Sequence, residues 1–192
     1  MLIRMSVPGY ANKVYTTLHS IIVPMFDGFV PKHQNILAVL RPGGSGGAPT
    51  LIPGSNIVTS DGDQYYAEAS VGAALTNAFG IHEMASGGTP GKSADRSDFT
   101  TIGSSEKAHT GGYPTNDDSD ADNTGAGVTV VSYLATYSKS DFSHAAITHG
   151  IITNSGPGAS EPLLTGYAFS GSFQKTTNDT LKVFVNHALT GV

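Results

Sequence analysis

The chain of 192 residues contains no cysteine and no tryptophan, and only 13% of its residues are charged. Without cysteine there are no disulfide scaffolds, thiolate zinc sites or cysteine nucleophiles. Without tryptophan the chain lacks the flat ring that carbohydrate platforms most often expose. Tyr65-Tyr66 and Tyr113 are the remaining candidates at loops or element ends, and packing is the simpler role for them. The charged fraction compares with roughly 25% in an average soluble protein. The net charge is −5 with Lys and Arg scattered along the chain, which gives no reason to expect nucleic acid or an anionic membrane as partner. Long apolar runs are also missing. Ile21-Ile22-Val23 is cut by Pro24 and Asp27, and nothing approaches the length of a membrane span. Met1-Leu2-Ile3-Arg4 does not lead into the apolar core of a signal peptide, so synthesis in the cytoplasm of the host cell is expected.

What replaces charge is turn chemistry. Twenty-four glycines and ten prolines favour many short strands joined by turns over long helices. The strongest punctuation is Pro42-Gly43-Gly44-Ser45-Gly46-Gly47-Ala48-Pro49, which reads as a flexible tether, because glycine lacks the Cβ that restricts the backbone and proline cannot continue regular pairing. It divides the chain into an extended N-terminal arm over 1–41, a Gly/Pro-rich linker over 42–55 and a β domain over 56–192. In the arm, Pro8, Pro24 and Pro31 cut the apolar groups into pieces too short for stable helices. Either the arm adds a strand or two to its own sheet, or it reaches a neighbour; the tether tips the reading toward a neighbour. Ile21, Ile22, Val23, Phe26 and Phe29 are then its partner-binding residues, each worth roughly 1.5–3 kcal/mol if fully covered.

Within the domain, Asn56-Ile57-Val58-Thr59 and Phe79 to Ala85 read as strands, and Gln64 to Ala69 as a short helix or a strand. Residues 92–127 are polar and turn-rich, a surface excursion with local structure. The clearest signals are Val128–Tyr137, Ala145–Thr153, Leu163–Phe173 and Thr180–Leu189, rich in β-branched and aromatic residues and separated by turn clusters. Such successive strands form antiparallel meanders or Greek keys that close into sandwiches. The expected fold is all-β, an antiparallel β-sandwich of jelly-roll type.

Motifs for chemistry are weak. Asp118, Asp120 and Asp122 have the alternate spacing that opens a calcium loop, since hard cations want several carboxylate oxygens. Asn123 stands where that loop needs glycine, and Thr129 where it needs a bidentate Glu. A turn whose Asx side chains cap their own backbone is the favoured reading. Of the seven histidines, His82-Glu83 begins like a zincin helix without the second histidine, His144 and His149 are five apart, and His187 shares a strand face with Val185 and Leu189, as a core or rim residue would. No Gly-x-Ser-x-Gly elbow stands between a strand and a helix. Glu83 and Asp95 form a carboxylate pair whose separation the sequence does not fix. No catalytic residue, metal or cofactor is expected.

Asn56-Ile57-Val58-Thr59, Gly62-Asp63-Gln64-Tyr65-Tyr66-Ala67, Tyr113-Pro114-Thr115-Asn116-Asp117, Asp120-Ala121-Asp122-Asn123-Thr124-Gly125 and Asp179 to His187, in that order, resemble a group of small virion-associated proteins of tailed bacteriophages. The resemblance covers about Asn56 to Val192 and leaves out the arm. It implies a virion structural protein on the capsid surface, a decoration or cement protein that binds the major capsid protein and its own neighbours as a homo-oligomer, expected to be a trimer. The alternative is a tail or fibre module that binds a host glycan, with calcium at Asp118, Asp120 and Asp122.

Overall fold

The computed structural model describes residues 33–43, 48–154, 158 and 160–189. Among the described residues the strands are β1 (His33–Arg41), β2 (Thr50–Val58), β3 (Phe79–Gly88), β4 (Phe99–Thr101), β5 (Lys107–Ala108), β6 (Thr115–Asn116), β7 (Val130–Tyr137), β8 (His144–Asn154), β9 (Leu163–Lys175) and β10 (Thr180–Ala188), and the α-helix is α1 (Ser60–Ser70). All strand pairs are antiparallel, in the order β4-β3-β8-β9-β2-β1-β10-β7-β6, and β5 also lies on β3. The all-β antiparallel class is as the sequence indicates. The hydrogen bonding among the described residues runs through one ten-stranded sheet, which does not by itself establish the jelly-roll sandwich.

That sheet rolls around a single interior. Lys107 and Ala108 pair with His82 and Ile81 of β3. Two residues on, the Thr110 N–H donates to the Leu134 carbonyl of β7 at 2.8 Å. Residues 107–110 thus bridge the two flanks of the sheet. The main core draws Ile36 and Ala38 from β1, Ile52 from β2, Met84 from β3, Tyr133 and Tyr137 from β7, Ile147 and Ile152 from β8, Tyr167 and Phe169 from β9, and Leu181, Val183 and Val185 from β10. In each strand these positions alternate with outward residues, apart from irregular stretches in β8 and β9, as the period of two requires.

Two smaller apolar patches lie on the outer face, and the excursion over 92–127 covers them. Ala94 and Phe99 pack on Ala85, Ile151 and Leu163. Tyr113 packs on Leu37, Val39, Leu134 and Phe184. The polar stretch is therefore a lid for sheet positions that would otherwise face water.

The division of the chain at residues 41 and 56 is corrected by this topology. β1 is hydrogen-bonded on both sides, to β2 through Leu40↔Thr50 and its neighbours and to β10 from His33↔Ala188 to Arg41↔Thr180. Residues 33–41 belong to the sheet, and Thr50–Ser55 belong to β2. Pro42–Pro49 connects a hairpin instead of tethering two bodies. Ile36, Leu37, Ala38 and Val39 are all buried, because one face meets the interior and the other meets Tyr113 and its patch. A strand covered on both faces shows a continuous apolar run with no alternation, which is why the segment reads as an arm without period. The arm residues Ile21, Ile22, Val23, Phe26 and Phe29 lie outside the described residues.

α1 starts where Thr59 caps it, its hydroxyl accepting from the Gly62 N–H at 3.1 Å. Asp61 and Asp63 in the first turn favour the positive end of the helix dipole. This decides for helix the segment whose pattern alone fits helix or strand. The β2–β9 ladder is incomplete. It runs from Val58↔Thr165 to Gly54↔Phe169 and stops at Pro53, which has no N–H to give a ladder. Beyond that point β9 bulges: His149 pairs with Ala168 and Ile147 with Phe173, so Phe169 to Ser172 oppose Thr148. Ser170, Gly171 and Ser172 are exposed, as are Thr50, Leu51 and Pro53 across the gap. β2 and β9 form a fork.

Candidate functional site

Three polar constellations stand out, and the first is the acidic turn. Asp118 accepts from the Tyr113 hydroxyl at 2.7 Å and from Asn123 Nδ2 at 2.8 Å. The Asp120 N–H donates to Asp118 Oδ1, and the Asp122 N–H to Asp120 Oδ1, both at 3.0 Å, the Asx pattern that closes a turn on itself. Two cations occupy the remaining oxygens. Arg41, the last residue of β1, binds Asp122 through both guanidinium Nη atoms at 3.1 and 2.8 Å, and Lys182 of β10 reaches Asp120 at 2.7 Å and Asp122 at 3.0 Å. The Arg41 hydrogen bonds, with those of Lys182, hold the Asp122 carboxyl down to about 2. Asp118, Asp120 and Asp122 are thus engaged by protein cations and donors where a calcium ion would need them free. Among the described residues, no group of three His, Asp or Glu side chains is arranged to hold a metal.

Beneath the turn, Asn123 and Asn186 exchange amide hydrogen bonds at 3.0 and 2.8 Å, and the Ser132 hydroxyl donates to Asn186 Oδ1 at 2.7 Å. Asn123 is buried, so one of the two residues that break the calcium pattern pins the turn to the sheet.

The second constellation lies inside the roll. Tyr66 of α1 places its hydroxyl 2.6 Å from His187 Nδ1 and 2.9 Å from the Tyr133 hydroxyl. His82 Nε2 lies 3.0 Å from His109 Nδ1, and His109 Nε2 lies 3.1 Å from the Phe79 carbonyl oxygen. The Tyr133 ring sits between them, 5.3 Å from both His109 and His187. Burial pushes the His187 imidazole down to about 3, and burial with the neighbouring histidines pushes His82 well below its ordinary range. Burial lowers His109 as well, and raises the Tyr66 and Tyr133 hydroxyls. All five groups are neutral near pH 7. His187 is the core residue that its strand face with Val185 suggests, and Tyr65 and Tyr66 pack into the interior. His82 Nδ1 and His187 Nε2 are buried without partners among the described residues.

The third is Glu83 with Arg96. Glu83 is buried and accepts from Arg96 Nε and Nη2, both at 2.8 Å. Asp95 instead caps a short 3-10 turn by accepting from the Ser97 N–H at 2.7 Å. The carboxylate pair considered from sequence does not act on one site.

These groups bind one another, and each network fastens a loop to the sheet or ties strands across the interior. Arg41, Lys182 and Asn186 carry no signal as isolated residues; only strand order brings them to the acidic turn. The histidines are equally dispersed in sequence, and the β3–β5 register brings two of them together. No helix among the described residues is long and apolar enough to cross a membrane. No family model, curated protein or solved structure matches the chain.

Proposed function

We propose that this protein is a structural component of a tailed-phage virion that decorates or cements the capsid, gripping the major capsid protein and its own neighbours as a homo-oligomer, with a trimer as the working assembly. The observation that carries the reading is the open fork between β2 and β9, where Thr50, Leu51 and Pro53 stand exposed along a strand edge that pairs with β1 alone among the described residues. An uncovered strand edge is a template for pairing with another chain. Leu51, Val71 and Val128 add exposed apolar area at 53%, 78% and 73%. Residues 1–32, with Ile21, Ile22, Val23, Phe26 and Phe29, enter the sheet at His33, so whatever they grasp is tied to a strand held on both sides. Copies acting together multiply such a grip.

The experiment is quantitation of this chain in purified particles by gel. Decoration requires copies in proportion to the major capsid protein; a few copies per particle, or none, defeats the reading. The alternative of a glycan-binding tail module drew on calcium at Asp118, Asp120 and Asp122. With those carboxylates bonded to Tyr113, Asn123, Lys182 and Arg41, no observation favours it.

A further inference from the structure

We propose that the His82–His109 pair is a proton-operated lock on the seam where residues 107–110 join β3 to β7, holding the seam closed at neutral pH and releasing it when one further proton is taken up.

The lock follows from where the ring hydrogens must lie. His109 Nε2 is 3.1 Å from the Phe79 carbonyl oxygen, which only accepts, so that nitrogen carries a hydrogen. In the neutral ring His109 Nδ1 is then an acceptor, and His82 Nε2, 3.0 Å away, is its donor. Both imidazoles are fixed as Nε2–H tautomers, and His82 Nδ1 is left bare. That atom is buried and has no partner among the described residues. A third proton on the two rings has one place to go. Whether the charge rests on His82 or, with the shared hydrogen moved across the bond, on His109, His82 Nδ1 must become an N–H. A buried N–H without an acceptor is unfavourable, and a buried unpaired charge more so. The closed pair therefore rejects the proton, in keeping with the lowering of both imidazoles by burial.

Nothing around the pair offsets that charge. Lys107 stands opposite His82 and is bound to Asp141. The other strand beside His82 presents apolar Ile152 of β8. Tyr133 of β7 lies against His109, with Tyr66 of α1 and His187 of β10 beyond it. Glu83, the next residue of β3, is taken by Arg96. No carboxylate bonds to either ring among the described residues.

Relief comes through His109. His82 is fully buried in a strand paired on both sides, whereas His109 is half-buried just beyond the two-residue strand β5. Moved into water, its imidazole takes the proton near the ordinary value of about 6.5. Its backbone moves with it. The His109 N–H donates to the Gly80 carbonyl at 3.1 Å, the Thr110 N–H to the Leu134 carbonyl at 2.8 Å, and the Thr110 hydroxyl to that of Thr136 at 2.9 Å. A seam held by so short a ladder opens locally, ahead of the long strands.

NMR of the histidine ring nitrogens at pH 7 should find His82 and His109 both as Nε2–H tautomers; either one as Nδ1–H overturns the proposal. Amide hydrogen exchange of the full chain from pH 6.5 to 4.5, corrected for intrinsic rates, reads the opening. Exchange over 107–110 should rise about tenfold per pH unit, one proton's share, and stay faster than that of β10 throughout. Exchange there that does not change with pH, or that matches β10 at every pH, overturns the proposal. His109→Gln keeps an amide within reach of His82 without a titrating ring, and should abolish the rise. Should that variant not fold, His82→Gln serves, because a glutamine carbonyl accepts from a doubly protonated His109 and the closed seam then takes the proton. His144→Gln, outside the pair, should leave the tenfold rise intact. A folded His109→Gln or His82→Gln protein that keeps the rise, or a His144→Gln protein that loses it, contradicts the lock.

Discussion

Arg41 and Asp122 are 81 positions apart in the chain and joined by two hydrogen bonds, so the end of β1 holds down the turn that covers the outer face of β1 and β10. The pair is partly exposed, with side-chain accessibilities of 42% and 20%, and its worth is that of a surface bridge with good geometry. Arg41→Ala should cost about 1 kcal/mol, and a double-mutant cycle with Asp122→Ala should return a coupling of roughly 0.5–1 kcal/mol. Urea titrations of the four proteins check this; additive losses would show that the bridge contributes nothing.

Acid should unfold the protein through its interior. His187 is held down to about 3, and His82 and His109 are also lowered by burial. A histidine depressed in the folded state takes up its proton first in the unfolded chain. Stability is therefore complete above the unfolded value near pH 6.5 and falls as pH drops; His187 alone removes up to about 1.4 kcal/mol per pH unit on the way toward 3, and His82 and His109 act in the same direction. His187→Gln should lessen that slope by about one proton's share. Denaturant midpoints across pH 4–7 measure it, and a flat profile would contradict the buried cluster. Asp122 and Asp141, each held near 2 by Arg41 and Lys107 respectively, have the depressed-carboxylate behaviour: their contribution is present above about pH 4 and fades as pH falls toward 2.

Gly150 of β8 has no room for a side chain. A Cβ there would lie 2.4 Å from Cζ of the Tyr167 ring, which is fully buried. Gly150→Ala should lower stability by about 1–3 kcal/mol through overpacking. Gly103→Ala is the control, since the space around Gly103 is open among the described residues, and should change it by less than about 0.5 kcal/mol. Equal effects at the two sites would mean that Tyr167 yields freely.

Strands β7 to β10 were legible in the sequence because alternation and β-branched residues coincide there, as in Leu181, Val183 and Val185 set against Lys182 and Asn186. β1 was not. Its four consecutive buried residues hide the period, and a Gly/Ser run has the same composition whether it tethers two bodies or closes a hairpin. The acidic turn was legible as a turn through its Asx spacing. Its anchors were not, because Arg41, Lys182 and Asn186 reach it only through the β1–β10–β7 order, which pairwise sequence spacing does not encode. The histidine and tyrosine cluster was hidden for the same reason.

Truncation separates the parts of the N-terminus that the sequence joins. Deleting residues 1–41 removes β1 from between β2 and β10 and should abolish folding. Deleting 1–32 should leave the sheet and its melting temperature nearly unchanged. Cooperative near-native melting of the longer deletion would refute the placement of β1.

The clasping role is tested most directly by adding back purified protein to particles that lack it and counting bound copies against the major capsid protein. The full chain should load in fixed proportion to capsid subunits, and the folded 1–32 deletion should load severalfold less. Equal loading of the two, or no loading of the full chain, would contradict the account.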